Sequence, residues 1–292
     1  MQHKVTGLLI LIALLFFGEG QPTLAQTEDD PPAQTPNNDF YGVNFVAPYE
    51  PWLSLARDAG VGVVRWQFNW RDHEIAPGQW AWEASDGPVQ TWNQNGFKVH
   101  AILHNPPDWA RANPGGLVPT GIDLPWNDPG NGFGRYCNLF AQRYRGKIDS
   151  YEVWNEPDLD QYWEGTPREY FNLLKSCYQG IKAADPNATV SMAGMAILIE
   201  PNFYPEVIRI AANDAGAAAN NAYFDAMSIH MYAAPQLGYD LTVQVRQTLA
   251  NYGMSNKPIW ITEMGVALRG YGIAPNEPQW GMRRKMRRAG IC

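Results

Sequence analysis

The chain has 292 residues, a formal charge of −7 with 22 basic against 29 acidic residues, and 12 Trp, 14 Tyr and 11 Phe. Five of the basic residues, Arg283, Arg284, Lys285, Arg287 and Arg288, crowd the last ten positions, so the body is more acidic than the total suggests. An acidic body argues against a nucleic-acid footprint, which needs a basic face.

Residues 1–25 read as a signal peptide: Lys4, an apolar stretch over 5–17 and the small-residue pattern Thr23-Leu24-Ala25. That stretch is shorter than the roughly 20 residues a bilayer needs, so stable membrane insertion is not expected. Residues 26–38, polar and proline-rich, read as a disordered leader. Residues 39–282 are assigned to one catalytic-sized domain, close to the ~250 residues of a (β/α)8 barrel, and 283–292 to a basic tail.

Within the domain, strand-like and helix-like stretches alternate. Strands are predicted over 40–46, 62–68, 98–104, 148–154, 189–194, 225–232 and 258–263. Helices are predicted between them over 51–59, 83–95, 133–144, 167–184, 203–215 and 243–252, the fourth capped by Thr166. Such alternation implies parallel strands joined by right-handed crossovers. An open doubly wound sheet would normally show a Gly-rich turn after its first strand, and none is present. A barrel is therefore expected, with its chemistry at the strand C-termini. Residues 269–292 show neither strand alternation nor an apolar helix face, so a C-terminal truncation lacking the eighth β/α unit is expected. Of the three cysteines, Cys137 and Cys177 sit in helix-like stretches, where a bridge and two buried thiols are both open, and no metal-ligand spacing occurs. Residues 187–189, N-A-T, match a glycosylation sequon.

Two strands end in glutamate. Residues 150–158 read S-Y-E-V-W-N-E-P-D, where Pro157 stops the strand at Glu156, and residues 257–265 read K-P-I-W-I-T-E-M-G, ending near Glu263. A pair of carboxyls is what glycoside hydrolysis requires: one must stay ionised while the other holds a proton, so their surroundings must differ.

W-N-E-P at 154–157 followed by I-T-E-M-G at 261–265 resembles the glycoside hydrolases of clan A, over roughly residues 38–265, and looks most like the cellulase-like family 5 and the β-xylosidase-like family 39. The resemblance implies a (β/α)8 TIM barrel and a retaining mechanism with Glu263 as nucleophile, Glu156 as acid/base, and Asn155 bonded to the sugar 2-hydroxyl. It implies no metal and no cofactor. Tyr232 and Arg65 are expected to hydrogen-bond Glu263 and keep it charged, and His230 to contact substrate. His104, at the end of the third strand, is a further substrate-binding candidate. The stretch from Glu74 to Trp82 resembles a clan motif of structural rather than catalytic role. The long loop 105–132 is a candidate for sugar subsites through Trp109 and Trp126, as is Trp163 after Glu156, because long loops in compact domains usually serve function. The expectation is a secreted, extracellular, monomeric glycosidase with a carbohydrate as its partner. A truncated carbohydrate-binding relative without catalysis is the alternative.

Overall fold

A computed structural model describes residues 41–265. In order they form β1 (Gly42–Asn44), α1 (Trp52–Asp58), β2 (Val63–Asn69), α2 (Trp70–His73), β3 (Glu74–Ala76), β4 (Gln79–Trp80), α3 (Glu83–Gln94), β5 (Lys98–His104) and α4 (Gly132–Arg143). Then come β6 (Ser150–Asn155), α5 (Pro167–Ala184), β7 (Thr189–Gly194), α6 (Phe203–Ala212), β8 (Met227–Met231), α7 (Pro235–Asn251) and β9 (Ile259–Met264).

Apart from the small antiparallel hairpin β3–β4, every strand runs parallel to its neighbours. One sheet has the order β1-β2-β5-β6-β7, and β8 pairs with β9. Parallel bridges from Ser191 to Ala226 and from Met195 to Ile229 carry the arc from β7 onto β8. The seven predicted strands therefore follow one another in chain order with helices between them, as an arc of a (β/α) barrel. Among the described residues β1 and β9 end the arc, leaving Val43 and Phe45 exposed at one end and Ile261 and Met264 at the other. The expected absence of an eighth unit concerns residues outside those described.

Most boundaries differ from the sequence reading by one to three residues, and three are instructive. The first strand pairs only over Gly42–Asn44 because Phe45 takes a left-handed φ of 62°, which ends the ladder. The sixth spans Met227–Met231 rather than 225–232. The last helix begins at Pro235 rather than 243: proline's fixed φ suits a first helical position, but the mostly exposed turn it opens carries no apolar periodicity to reveal it.

Helix packing is tightest between α4 and α5. Thr166 and Glu169 form a capping box with Pro167 at the first turn of α5, and Asn131 caps α4 by accepting from the Gly134 N–H. A Cβ on Gly180 would lie 2.6 Å from the Gly134 carbonyl oxygen, so this crossing requires glycine. Asn138 donates to the Gly180 carbonyl at 2.9 Å, and Cys137 and Cys177 form a disulfide with Cα atoms 5.3 Å apart. The bridge settles the cysteine alternatives.

Most of the aromatic surplus is core. Trp70, Trp92, Trp154, Trp163, Tyr136, Tyr151 and Tyr170 are among the fully buried side chains. Several of their polar ends are partnered: Trp92 Nε1 donates to the Val46 carbonyl and Trp154 Nε1 to that of Tyr162, whereas the buried Tyr151 hydroxyl has no partner among the described residues. Around Glu74–Trp82 the role is structural, as expected. Buried Glu74 accepts from Trp70 Nε1 and from the N–H of Gly78, whose φ of +76° closes the hairpin, and Trp80 stacks on Trp82. No helix among the described residues is long and apolar enough to cross a membrane.

The disulfide closes a 40-residue separation, for which chain entropy gives roughly 4 kcal/mol. Replacing Cys137 and Cys177 together by Ala is expected to lower the urea midpoint accordingly, with a somewhat steeper slope because the unfolded chain loses its cross-link and exposes more surface. An unaltered midpoint would show that the helix pair, not the bridge, holds this flank.

Candidate active site

The site is organised by one buried cation. Arg65 lies on β2 with 4% of its surface exposed, between the apolar Val64 and the aromatic Trp66. A guanidinium there must find counter-charges and acceptors, and Arg65 finds them through both Nη groups while its buried Nε has no partner among the described residues. Its Nη1 donates to Asn44 Oδ1 at 3.0 Å and Glu263 Oε1 at 2.7 Å, and its Nη2 to Glu152 Oε1 at 2.5 Å and Asn155 Oδ1 at 3.0 Å. Burial opposes the charge, but Glu152 and Glu263 outweigh it and Arg65 is held even more firmly protonated than usual. Glu152, wholly buried, also accepts from His100 Nε2 at 3.0 Å and from the Gly194 N–H at 3.2 Å. Burial pushes its carboxyl up; Arg65 and His100 more than reverse this and hold it far below the usual carboxylate range.

Glu156 and Glu263 reach this centre by local irregularities. In a regular strand consecutive side chains face opposite ways. Trp154 and Glu156 instead take left-handed φ values of 76° and 45°, so Asn155 and Glu156 both turn into the site. Such backbone costs about 1–3 kcal/mol per residue and persists where surrounding bonds enforce it. Here the Glu156 N–H donates to the Gly194 carbonyl at 3.0 Å. On β9 the register shifts between Ile229 and His230, so that Ile229 faces Ile261 but His230 faces Glu263. The extra residue is Thr262, and its bulge re-aims Glu263.

His230 lies between the carboxyls. Its Nδ1 is 2.7 Å from Glu156 Oε1 and its Nε2 3.5 Å from Glu263 Oε1. A Cβ on Gly194 would come within 1.9 Å of His230 Nε2, so only glycine lets the ring occupy this place. Tyr232 donates its hydroxyl to Glu263 Oε2 at 2.7 Å. Burial and then the Glu263 charge raise the Tyr232 phenol, keeping it a donor. One donor atom each from Glu156, His230 and Glu263 lies within 4.8 Å of the others. Three such atoms could face a cation, but the donor set does not fit a resident metal. Glu263 already bonds the Arg65 guanidinium and the Tyr232 hydroxyl, and a metal there would stand beside a fixed positive charge. Two carboxyls at this separation, one paired to a cation and a phenol and the other to an imidazole, suit nucleophilic and proton-transfer chemistry.

Six of the residues singled out from sequence thus meet: Glu156, Glu263, Asn155, Tyr232, His230 and Arg65. Two others do not. His104 is 2% exposed beneath the site, where its Nδ1 bonds Gln67 and its ring packs edge-on to Trp154 at 4.3 Å. Burial pushes its imidazole down to about 3, so it is a neutral core histidine rather than a substrate ligand. Trp163, also 2% exposed, lies edge-on to Trp154 at 5.1 Å and presents no face to a sugar. In the long loop, Trp109 is 43% exposed and stands edge-on to Trp70, while Trp126 is half-buried with its backbone over Gly134. That loop is not structureless. It holds a 3-10 turn (Asp108–Ala110), pairs Arg111 with Pro119, and is tied down by Glu164, which accepts from the N–H groups of Leu117 and Val118. Glu152, His100 and Asn44 escaped the sequence reading, although a charged residue amid the apolar Y-E-V-W run was a visible signal of a buried pair.

The family described as Glycosyl hydrolases family 39 matches residues 135–278, a little under half of the chain. This bears out the resemblance carried by W-N-E-P and I-T-E-M-G. Among solved structures, a glucosidase from Croceicoccus marinus is 15% identical with a TM-score of 0.60, over 80% of this chain and 54% of its own. A family 39 glycoside hydrolase from Bacteroides cellulosilyticus is 20% identical with a TM-score of 0.57, over 78% and 50%. A family 39 β-xylosidase from Caulobacter crescentus is 19% identical with a TM-score of 0.57, over 78% and 53%. This chain therefore spans about half the length of those proteins. No curated protein matches it by sequence.

Removing Arg65 leaves buried Glu152 without its main counter-charge, and Arg65→Met is expected to cost about 3–5 kcal/mol of stability. His104 adds a pH dependence. Its folded value of about 3 lies below the ordinary 6.5, so the unfolded chain binds the extra proton and stability falls as pH drops from about 6.5 to about 3. Urea unfolding of His104→Gln across that window is expected to show a shallower decline; an identical decline would contradict the assignment.

Proposed function

We propose that this chain is, or is part of, a secreted retaining glycoside hydrolase that cleaves O-glycosidic bonds of a poly- or oligosaccharide. In this reading Glu263 attacks the anomeric carbon and Glu156 protonates the leaving oxygen. Water that gives its proton to Glu156 then attacks the anomeric carbon of the glycosyl enzyme, breaking its bond to Glu263 and freeing the sugar. The observation that carries it is the pairing of two carboxyls with unlike partners: Glu263 between the Arg65 guanidinium and the Tyr232 hydroxyl, Glu156 against His230. The first environment favours an anion, and the second offers a partner through which a proton is held or passed. Asn155, fixed by Arg65, is assigned to the sugar hydroxyl next to the anomeric carbon, and His230 to the substrate's edge. Trp109 and Trp126 remain the candidates for outer subsites.

Residues 1–25 are proposed to direct secretion, leaving the polar, proline-rich stretch 26–38 ahead of the domain. The Cys137–Cys177 bridge agrees with an oxidising destination. The similar proteins are named as a glucosidase and a β-xylosidase, which makes aryl β-glucosides, aryl β-xylosides and xylan the first substrates to offer.

Reducing-sugar and aryl release by the full chain is expected to vanish in Glu263→Gln and to fall by roughly 10²–10⁴ in Glu156→Gln for poor leaving groups. The first product, followed by NMR, should keep the anomeric configuration of the substrate. A folded chain that binds xylan but releases nothing would overturn catalysis in favour of carbohydrate binding alone; inversion would overturn the roles given to the two glutamates.

A further inference from the structure

Asp158 belongs to neither network described above, yet it is 3% exposed and lies two residues beyond Glu156. Its Oδ1 accepts from the Ala196 N–H at 3.0 Å, and its Oδ2 is buried with no hydrogen-bond partner. Among the described residues no lysine or arginine pairs with it. The ionisable groups that face it are Glu156 on its own turn, His230 from β8 and the Tyr170 hydroxyl from α5. Tyr170 is committed elsewhere, donating to the Val153 carbonyl and accepting from the Ala193 N–H. A carboxylate without a counter-ion in this place is costly. Burial, aided by Glu156 and opposed by the Ala196 N–H, lifts the Asp158 carboxyl to about 7.

The geometry around it is a double clamp. On one side of Pro157 the Glu156 N–H bonds the Gly194 carbonyl; on the other the Asp158 carboxyl bonds the Ala196 N–H. Both anchors lie at the exit of β7, and between them sits a glutamate whose backbone is left-handed. Pro157 has no N–H to add a third bond, so the second anchor rests on the Asp158 side chain. Resting on the reading of Glu156 as the acid/base, we propose that Asp158 is the positioning residue of that acid: its carboxyl staples the turn after Glu156 to the exit of β7 and so holds Glu156 against His230.

One consequence separates this role from a generic structural one. A misplaced acid slows departure of leaving groups that need a proton and spares those that do not, and kcat/KM reads that first step alone.

The test compares Asp158→Ala and Asp158→Asn with the unmodified chain and Glu156→Gln, on a dinitrophenyl glycoside, whose leaving group needs no proton, and on an unactivated aryl glycoside. Asp158→Ala is expected to lower kcat/KM on the unactivated substrate by about ten-fold or more and to leave kcat/KM on the activated one within about three-fold, while kcat on the activated one falls because Glu156 also activates the water of the second step. Asp158→Asn keeps an acceptor for Ala196. It is expected to restore most of kcat/KM on the unactivated substrate. Equal losses of kcat/KM on both substrates in Asp158→Ala, or an Asp158→Asn variant as slow as Asp158→Ala on the unactivated one, would overturn the proposal. Should the alanine variant unfold, Asp158→Ser takes its place in the same comparison, with the same outcomes. Full activity of Glu156→Gln on the unactivated substrate would instead remove the acid/base reading itself, and this proposal with it.

Discussion

The Arg65 guanidinium is the interaction on which this architecture depends. It is nearly inaccessible to water, so its charge is tolerable only while its hydrogen-bond donors find acceptors, and those acceptors come from Asn44 on β1, Glu152 and Asn155 on β6, and Glu263 on β9. An unpaired buried charge costs several kcal/mol, so the pairing is not optional. Lysine, a point charge without a planar fork, would not bridge four acceptors in this way. The same side chain thereby fixes the relative position of the first and last described strands and of the two carboxyls of the site. Asn44 adds a second tie across that interval, its Nδ2 donating to the Thr262 carbonyl at 3.3 Å.

Around this fixed centre the chain departs from ideal geometry at three places, and each serves the site. Left-handed residues Trp154 and Glu156 turn two consecutive side chains inward. The bulge at Thr262 re-aims Glu263. The missing side chain of Gly194 leaves the space into which His230 fits. Strain of this kind is stable because close-packed neighbours over-determine it: Trp154 is wedged among His104, Phe133 and Trp163. The aromatic abundance thus contributes chiefly as scaffold beneath the site. His104 and Trp163 belong to that scaffold because rings that brace a strained turn cannot also lie open to a sugar.

The fold was legible to the extent that burial writes a period into sequence. β2, β5, β6 and β7 are flanked by other strands and covered on both faces, so they read as apolar runs, and the helices α3 to α6 carry an inward stripe. The exposed first turns of α7 carry no such stripe, and the start of that helix was missed. Similarly, β1 looked longer than it is because nothing in the residue types announces the left-handed Phe45. Of the site, Glu156 and Glu263 stood out because each ends an apolar strand beside proline, amide or aromatic residues. Asp158 did not, since its one hydrogen-bond donor from outside its own turn is a backbone N–H just beyond the end of β7.

By itself the sequence determined the alternation of seven strands with helices, the two glutamates and the family they resemble, because hydrophobic period and short motifs are local. Only the tertiary structure decided which polar residues meet. Arg65, Glu152, Asn155, His230, Tyr232 and Glu263 come from four strands and the residue after one of them, and lie far apart in sequence. Whether two such residues pair or face away turns on strand register, one bulge residue and the sign of a single φ. None of these leaves a periodic trace. The cost of burying unpaired charge is what selects among the alternatives, and that cost exists only once the strands have come together.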